Sequence, residues 1–96
     1  MLSNQWFLDS NNKYYWLESS GSMASNTWKY INNIWYRFDK SGAMLSNQWF
    51  LDSNNEYYWL KSDGSIASNE SLQIDNSFFT FNSNGIIIKI NYYDKK

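Results

Sequence analysis

Gln5-Trp6-Phe7-Leu8-Asp9-Ser10-Asn11-Asn12-Lys13-Tyr14-Tyr15-Trp16-Leu17 decides the fold, and it returns at Gln48–Leu60 with one change, Glu56 for Lys13. The four residues Asp9-Ser10-Asn11-Asn12 tolerate the left-handed backbone conformation, and the aromatic runs on either side favour extended chain, so the stretch reads as a β-hairpin. Working outward, residues 1–26 and 44–69 match at every position except 13/56, 18/61, 20/63 and 23/66. Between the copies, Trp28 and Trp35-Tyr36 flank Asn32-Asn33 and give a shorter hairpin of the same kind. Gly21, Gly42, Gly64 and Gly85 stand 21, 22 and 21 residues apart. The period marks units of about 1–23, 24–44, 45–66 and 67–88, with a C-terminal tail at 89–96.

An isolated hairpin is marginal in water, so successive hairpins must stack and bury aromatics between them. The expected fold is all-β, a solenoid of about four stacked β-hairpins. The fourth unit is atypical, with Ser71 where a tryptophan opens the others and Phe78, Phe79 and Phe81 in its second strand, and it reads as a cap. Met1 occupies the place that Met44 holds after Gly42, so the chain is expected to be a fragment of a longer protein.

Composition narrows the function. Aromatics make up 21% of residues and charged groups 18%, while mean hydropathy is −0.66, a polar and aromatic mixture found on binding surfaces. A net charge of −1 with scattered Lys and Arg lacks the basic stripe that nucleic acid requires. No apolar run reaches membrane-spanning length. There is no cysteine or histidine, so disulfides, structural zinc and the usual nucleophile–base pairs are all missing. No catalytic residue, metal site or cofactor is expected, and the chain reads as a non-enzyme.

Strand alternation puts Tyr14 with Trp16 on one face and Tyr15 with Leu17 on the other. The second set recurs as Tyr36/Phe38, Tyr58/Leu60 and Phe79/Phe81 and reads as core. The first set varies, as Trp35/Arg37, Tyr57/Trp59 and Phe78/Thr80, and reads as a binding face. Lys13/Glu18 and Glu56/Lys61 exchange signs between the copies and read as solvated charges. Asp9 and Asp52 read as turn formers.

Gln5-Trp6-Phe7, Trp28 to Trp35-Tyr36, and the Gly21-Ser22-Met23 and Gly42-Ala43-Met44 loops together resemble the choline-binding, or cell-wall-binding, repeats of pneumococcal surface proteins. The resemblance covers about residues 1–88. It departs at the opening glycine, replaced by Gln5, Thr27 and Gln48, and at Tyr14, Tyr57, Arg37 and Thr80. What it implies is a left-handed superhelix of hairpins with choline held in aromatic cages between successive units. Each cage would take the opening tryptophan and first second-strand aromatic of one hairpin, closed by the third-position aromatic of the next. The implied choline residues are Trp28, Trp35, Trp59, Trp6, Tyr14, Trp49, Tyr57, Trp16 and Met44, with Trp28, Trp35 and Trp59 forming the most complete set. Aromatic faces suit choline because ring quadrupoles attract its cation while ring surfaces desolvate its methyls. The implied partners are choline and phosphocholine-decorated teichoic and lipoteichoic acids, and the implied location is extracellular, attached non-covalently to the bacterial cell wall. The alternative is a carbohydrate (glucan)-binding repeat module, since similar hairpins occur in glucan-binding enzymes and clostridial toxins. The apolar Gly85–Ile90 tail adds a structural reading, a homodimer through the C-terminal unit.

Overall fold

The computed structural model describes residues 3–92 and contains nine strands. Met1 and the last four residues of the tail lie outside that range. Hairpin 1 joins β1 (Gln5–Leu8) to β2 (Tyr14–Leu17), and hairpin 2 joins β3 (Thr27–Ile31) to β4 (Ile34–Phe38). Hairpin 3 joins β5 (Gln48–Leu51) to β6 (Tyr57–Leu60). The last sheet has three strands in the order β7 (Glu70–Ile74), β8 (Ser77–Phe81), β9 (Ile87–Tyr92), so the tail continues the fourth hairpin as an added antiparallel strand.

Turn chemistry sets these hairpins. Asn32 and Asn33 have φ of 52° and 69°, and Ile31 faces Ile34, the geometry of a two-residue turn whose twist matches the strands. In hairpin 1 the Asp9 carboxylate accepts from the backbone N–H of Asn11 at 2.9 Å and of Lys13 at 3.0 Å. Asp52 accepts from Asn54 and Glu56 in the same way. The residues before each opening position, Asn4, Asn26, Asn47 and Asn69, all have φ near +50°. Asparagine thus supplies the left-handed residue at each hairpin entry, one place before Gln5, Thr27 and Gln48.

Cross-strand register places Trp6 opposite Trp16, Trp28 opposite Arg37, Trp49 opposite Trp59 and Ser71 opposite Thr80. Opposed residues share a face, so each of the first three hairpins carries its opening tryptophan on a trailing face and its Tyr15-type residue on a leading face. The trailing face of one hairpin packs on the leading face of the next. Trp6 reaches Tyr36 and Phe38, Trp28 reaches Phe50 and Tyr58, and Trp49 reaches Phe79 and Phe81. Core and binding surface are therefore not separate faces, because every junction uses both.

Burial is distributed along the stack. One cluster joins Ala24, Ile31 and Phe38 to Trp6, Trp16, Tyr36 and Met44, and another joins Ala67, Ile74 and Phe81 to Trp49, Trp59, Leu72, Phe79 and Ile87. The molecule measures 56 × 26 × 23 Å with a radius of gyration of 15.0 Å, against about 12–13 Å for a compact chain of this length. Stability in such a stack is a sum of nearest-neighbour junctions.

The charges whose signs exchange between copies are not merely solvated. Glu18 pairs with Lys29 of the next hairpin, and Lys61 pairs with Glu70 of the next at 2.9 Å. The outer face of the fourth hairpin carries Ser71 and Thr80, whose hydroxyls bond each other at 2.8 Å. This hydroxyl pair stands where the other hairpins carry the opening tryptophan and its cross-strand partner, on the same face as the exposed Phe78.

Candidate functional site

The first junction gathers three rings into an open box. Trp6 and Tyr14 come from hairpin 1, with centroids 6.2 Å apart and planes at 88°. Tyr36 of hairpin 2 meets Trp6 at 5.0 Å and 77°. Met44, in the loop after hairpin 2, closes the box, and its backbone N–H donates to the Tyr14 carbonyl at 2.8 Å. The four residues line one cavity of about 710 Å³ with Asn11, Asn12, Lys13, Ser46, Gln48, Ser62 and Asp63. Rings set nearly at right angles present their faces to a point, which suits a compact cation better than a flat ring.

The ring that meets the opening tryptophan of the preceding hairpin is the second residue of the aromatic run, not the third. Tyr36, Tyr58 and Phe79 meet the preceding opening tryptophan, whereas Trp16 and Trp59 make their ring contacts with Trp6 at 5.4 Å and Trp49 at 5.0 Å in their own hairpins and pack on the buried cluster of the next unit. Strand alternation explains this. Tyr36 stands on the leading face that meets Trp6, and Arg37 and Trp59 stand on trailing faces that point on to the next unit. Trp28, Trp35 and Trp59 are thus not gathered into one box.

The second junction is built around a cation of its own. The Arg37 guanidinium lies 4.2 Å from the Phe50 ring and 5.8 Å from Trp28, and Nη2 donates to Asn26 Oδ1 at 3.0 Å. Its Nε is buried without a partner, and burial lowers the pKa of the group. Trp35 turns outward against Tyr30 at 4.9 Å and lines a cavity of about 400 Å³ with Ile66, Lys61 and Glu70, among others. Trp28 is not among its walls.

The third junction repeats the first with Trp49, Tyr57 and Phe79. Trp49 meets Tyr57 at 6.3 Å and 85° and Phe79 at 5.1 Å and 69°. Ile87 packs beside them in the place of Met44. Burial raises the pKa of the Tyr36 and Tyr58 hydroxyls, with the Asp63 charge adding to the effect at Tyr36. Sequence reasoning read Tyr36, Tyr58 and Phe79 as core; each also meets the opening tryptophan of the preceding hairpin, and the signal was their constant place beside the buried Phe38, Leu60 and Phe81. Among the described residues no group of three or more acidic side chains could hold a metal. Nor, among the described residues, is any helix long and apolar enough to cross a membrane.

A family profile described as "Putative cell wall binding repeat" matches residues 4–23, 26–44 and 47–66. The match stops before the fourth hairpin, where Ser71 and Thr80 replace the aromatic pair. The multimodular pneumococcal cell wall endolysin from phage Cp-1, solved in complex with choline, is similar at 27% identity and TM-score 0.80, over 90% of this chain and 25% of that one. A choline binding domain from Streptococcus pneumoniae is similar at 31% identity and TM-score 0.73, over 92% of this chain and 96% of that one. Truncated alternansucrase from Leuconostoc mesenteroides shares the fold at TM-score 0.82 and 19% identity, over 90% of this chain and 8% of that one. The chain spans about a quarter of the length of the endolysin structures it matches. No curated protein sequence is significantly similar to it.

Proposed function

Since the chain belongs to the cell wall binding repeat family, we propose that it is a non-catalytic module that takes choline into the box of Trp6, Tyr14, Tyr36 and Met44. The carrying observation is that these four residues line a single open cavity, with Tyr14 and Tyr36 each set nearly perpendicular to Trp6. Each ring contributes about 0.5–1 kcal/mol when wet and about 2 when dry. Trp49, Tyr57 and Phe79 form the second-ranking site. Trp28 and Trp35 serve the second junction, where Arg37 disfavours another cation. Trp16 and Trp59 act in this reading as supports behind Trp6 and Trp49.

The natural partners in this reading are the phosphocholine groups of teichoic and lipoteichoic acids, and the module works outside the cell on the wall. Single sites of so small a ligand reach about millimolar affinity, and several sites on one polymer raise the apparent affinity by roughly 10²–10⁴. Homodimerisation would involve β9, the edge strand that exposes Ile88 and Tyr92. The test is tryptophan fluorescence titrated with choline and, separately, with dextran. Saturation by millimolar choline and none by dextran is expected; a response to dextran alone would move the module to the glucan-binding class.

A further inference from the structure

The two copies differ at four positions, and the differences gather at the junction cavities. Lys13 and Asp63 line the first cavity, and Lys61 and Ile66 line the second. Asp63 is the surprising wall. It belongs to the loop after hairpin 3, two units beyond Trp6 and Tyr14.

Close packing brings it there. Gly64 has φ +88°, and a Cβ on it would stand 3.0 Å from Met44 Cγ and nearer still to its sulfur. The loop at 63–64 is therefore pressed against the thioether that closes the first box. Only glycine allows that approach. The Asp63 carboxylate also accepts from the Ser65 N–H at 2.9 Å and from its hydroxyl at 2.5 Å, and these bonds lower its pKa. It is ionised at neutral pH, and its charge is felt at the Tyr36 hydroxyl.

The same construction recurs one unit along without the charge. Ser83, the counterpart of Ser62, lines the second cavity, and the counterpart of Asp63 is the neutral Asn84. In units 1 and 2 the place is held by Ser20 and Ser41. Of the four, the carboxylate occurs only where the loop reaches the first box.

Resting on the choline reading above, we propose that Asp63 is a specificity-determining residue of the first-junction site, where its carboxylate selects a cation over a neutral ligand of the same shape. The aromatic box desolvates the methyls, and the carboxylate from hairpin 3 supplies the long-range attraction. Asp63 is exposed, so this attraction is screened by salt. Lys13, which lines the same cavity, works against it. One site would then draw on three successive hairpins, so filling it would couple hairpin 3 to hairpin 1.

The test uses the whole chain with the indole N–H signals of Trp6 and Trp49 read separately by NMR. Choline is compared with 3,3-dimethylbutanol, its uncharged isostere. Asp63→Asn, which keeps the acceptor that the loop needs, should weaken choline at Trp6 by roughly three- to tenfold at low salt and less at high salt. Dimethylbutanol at Trp6 and choline at Trp49 should be unchanged. Lys13→Glu should strengthen choline at Trp6 and leave dimethylbutanol alone. Equal losses of both ligands, or no loss of choline, would overturn the assignment. A wild-type Trp6 signal that ignores choline removes the choline reading itself, and this proposal with it.

Discussion

Trp6 meets Tyr36 of the following hairpin edge to face at 5.0 Å, and Arg37, the next residue, turns to the opposite side and reaches Phe50 of the hairpin after that. Adjacent residues of one strand thus serve two different junctions. Tyr36→Ala should weaken choline at the first junction by about 0.5–2 kcal/mol, the range for losing one cation–π face. Calorimetry on that variant and on Arg37→Ala separates the two roles, since Arg37→Ala should leave the first junction intact.

Arg37 instead holds the second junction together. Its guanidinium stacks on Phe50 and bonds Asn26, so Arg37→Ala should cost about 1–2 kcal/mol through lost cation–π and hydrogen-bond contacts. Thermal melts followed at 222 nm and by tryptophan emission report the loss. An unchanged midpoint would mean that the stacked guanidinium contributes nothing net.

The duplication and the hairpins were legible because they are written in local chemistry: Asn-rich turns and strand-forming aromatics. Which ring meets the preceding tryptophan was not. Alternation tells which residues of one strand share a face, but which neighbour that face meets depends on how hairpins rotate along the stack, and no residue spacing encodes that rotation. Charge pairing was missed for the same reason, since Glu18 and Lys29 are joined only by stacking. The entry asparagines were visible in the recurring Ser-Asn before each opening residue, but only the folded backbone shows that they take the left-handed conformation there. The β9 strand was hidden in a tail read for its apolar character alone.

The ion pairs across the first and third junctions have opposite polarity, Glu18 to Lys29 and Lys61 to Glu70. Glu18→Lys should destabilise the first junction by up to about 1 kcal/mol, and adding Lys29→Glu should recover most of it. A double-mutant cycle in low salt measures the coupling. Partly exposed pairs are screened, so the coupling should shrink in 1 M salt.

Acid should loosen the loops before it unfolds the strands. Backbone N–H groups, that of Lys13 foremost, lower the Asp9 pKa; Ser65 lowers that of Asp63; and Asp39, despite its burial, is lowered by Ser41 and Ala43. A depressed folded pKa gives stability that is present above the ordinary carboxylate range and lost as pH falls through the folded value. Melting midpoints should therefore be level above about pH 5 and fall below about pH 4. Replacing all three aspartates by asparagine should flatten that fall, and an unaltered acid limb would assign it to other groups.

The fourth hairpin covers the third, and its removal tests whether the stack is cooperative. Trp49 packs on Phe79 and Phe81, and the cluster behind it needs Ala67, Ile74 and Phe81, all nearly inaccessible to solvent. Deleting residues 67–96 strips that cover and leaves Trp49 and Trp59 on an open face. Loss of one buried aromatic contact surface of this kind costs several kcal/mol, on the order of 3–5 for a single large side chain, which exceeds what one hairpin retains alone. Hairpin 3 should therefore fray, and its fraying uncovers the trailing face of hairpin 2 in turn. The expected outcome is a lower and broader melt, red-shifted tryptophan emission, and choline binding lost at Trp49 but only weakened at Trp6. Restoring a polar outer face by Trp49→Ser with Trp59→Thr, the residues found at 71 and 80, should recover solubility without recovering the third site. A truncated chain that melts as the full one does would show that each hairpin is stable by itself, against the nearest-neighbour account of the fold.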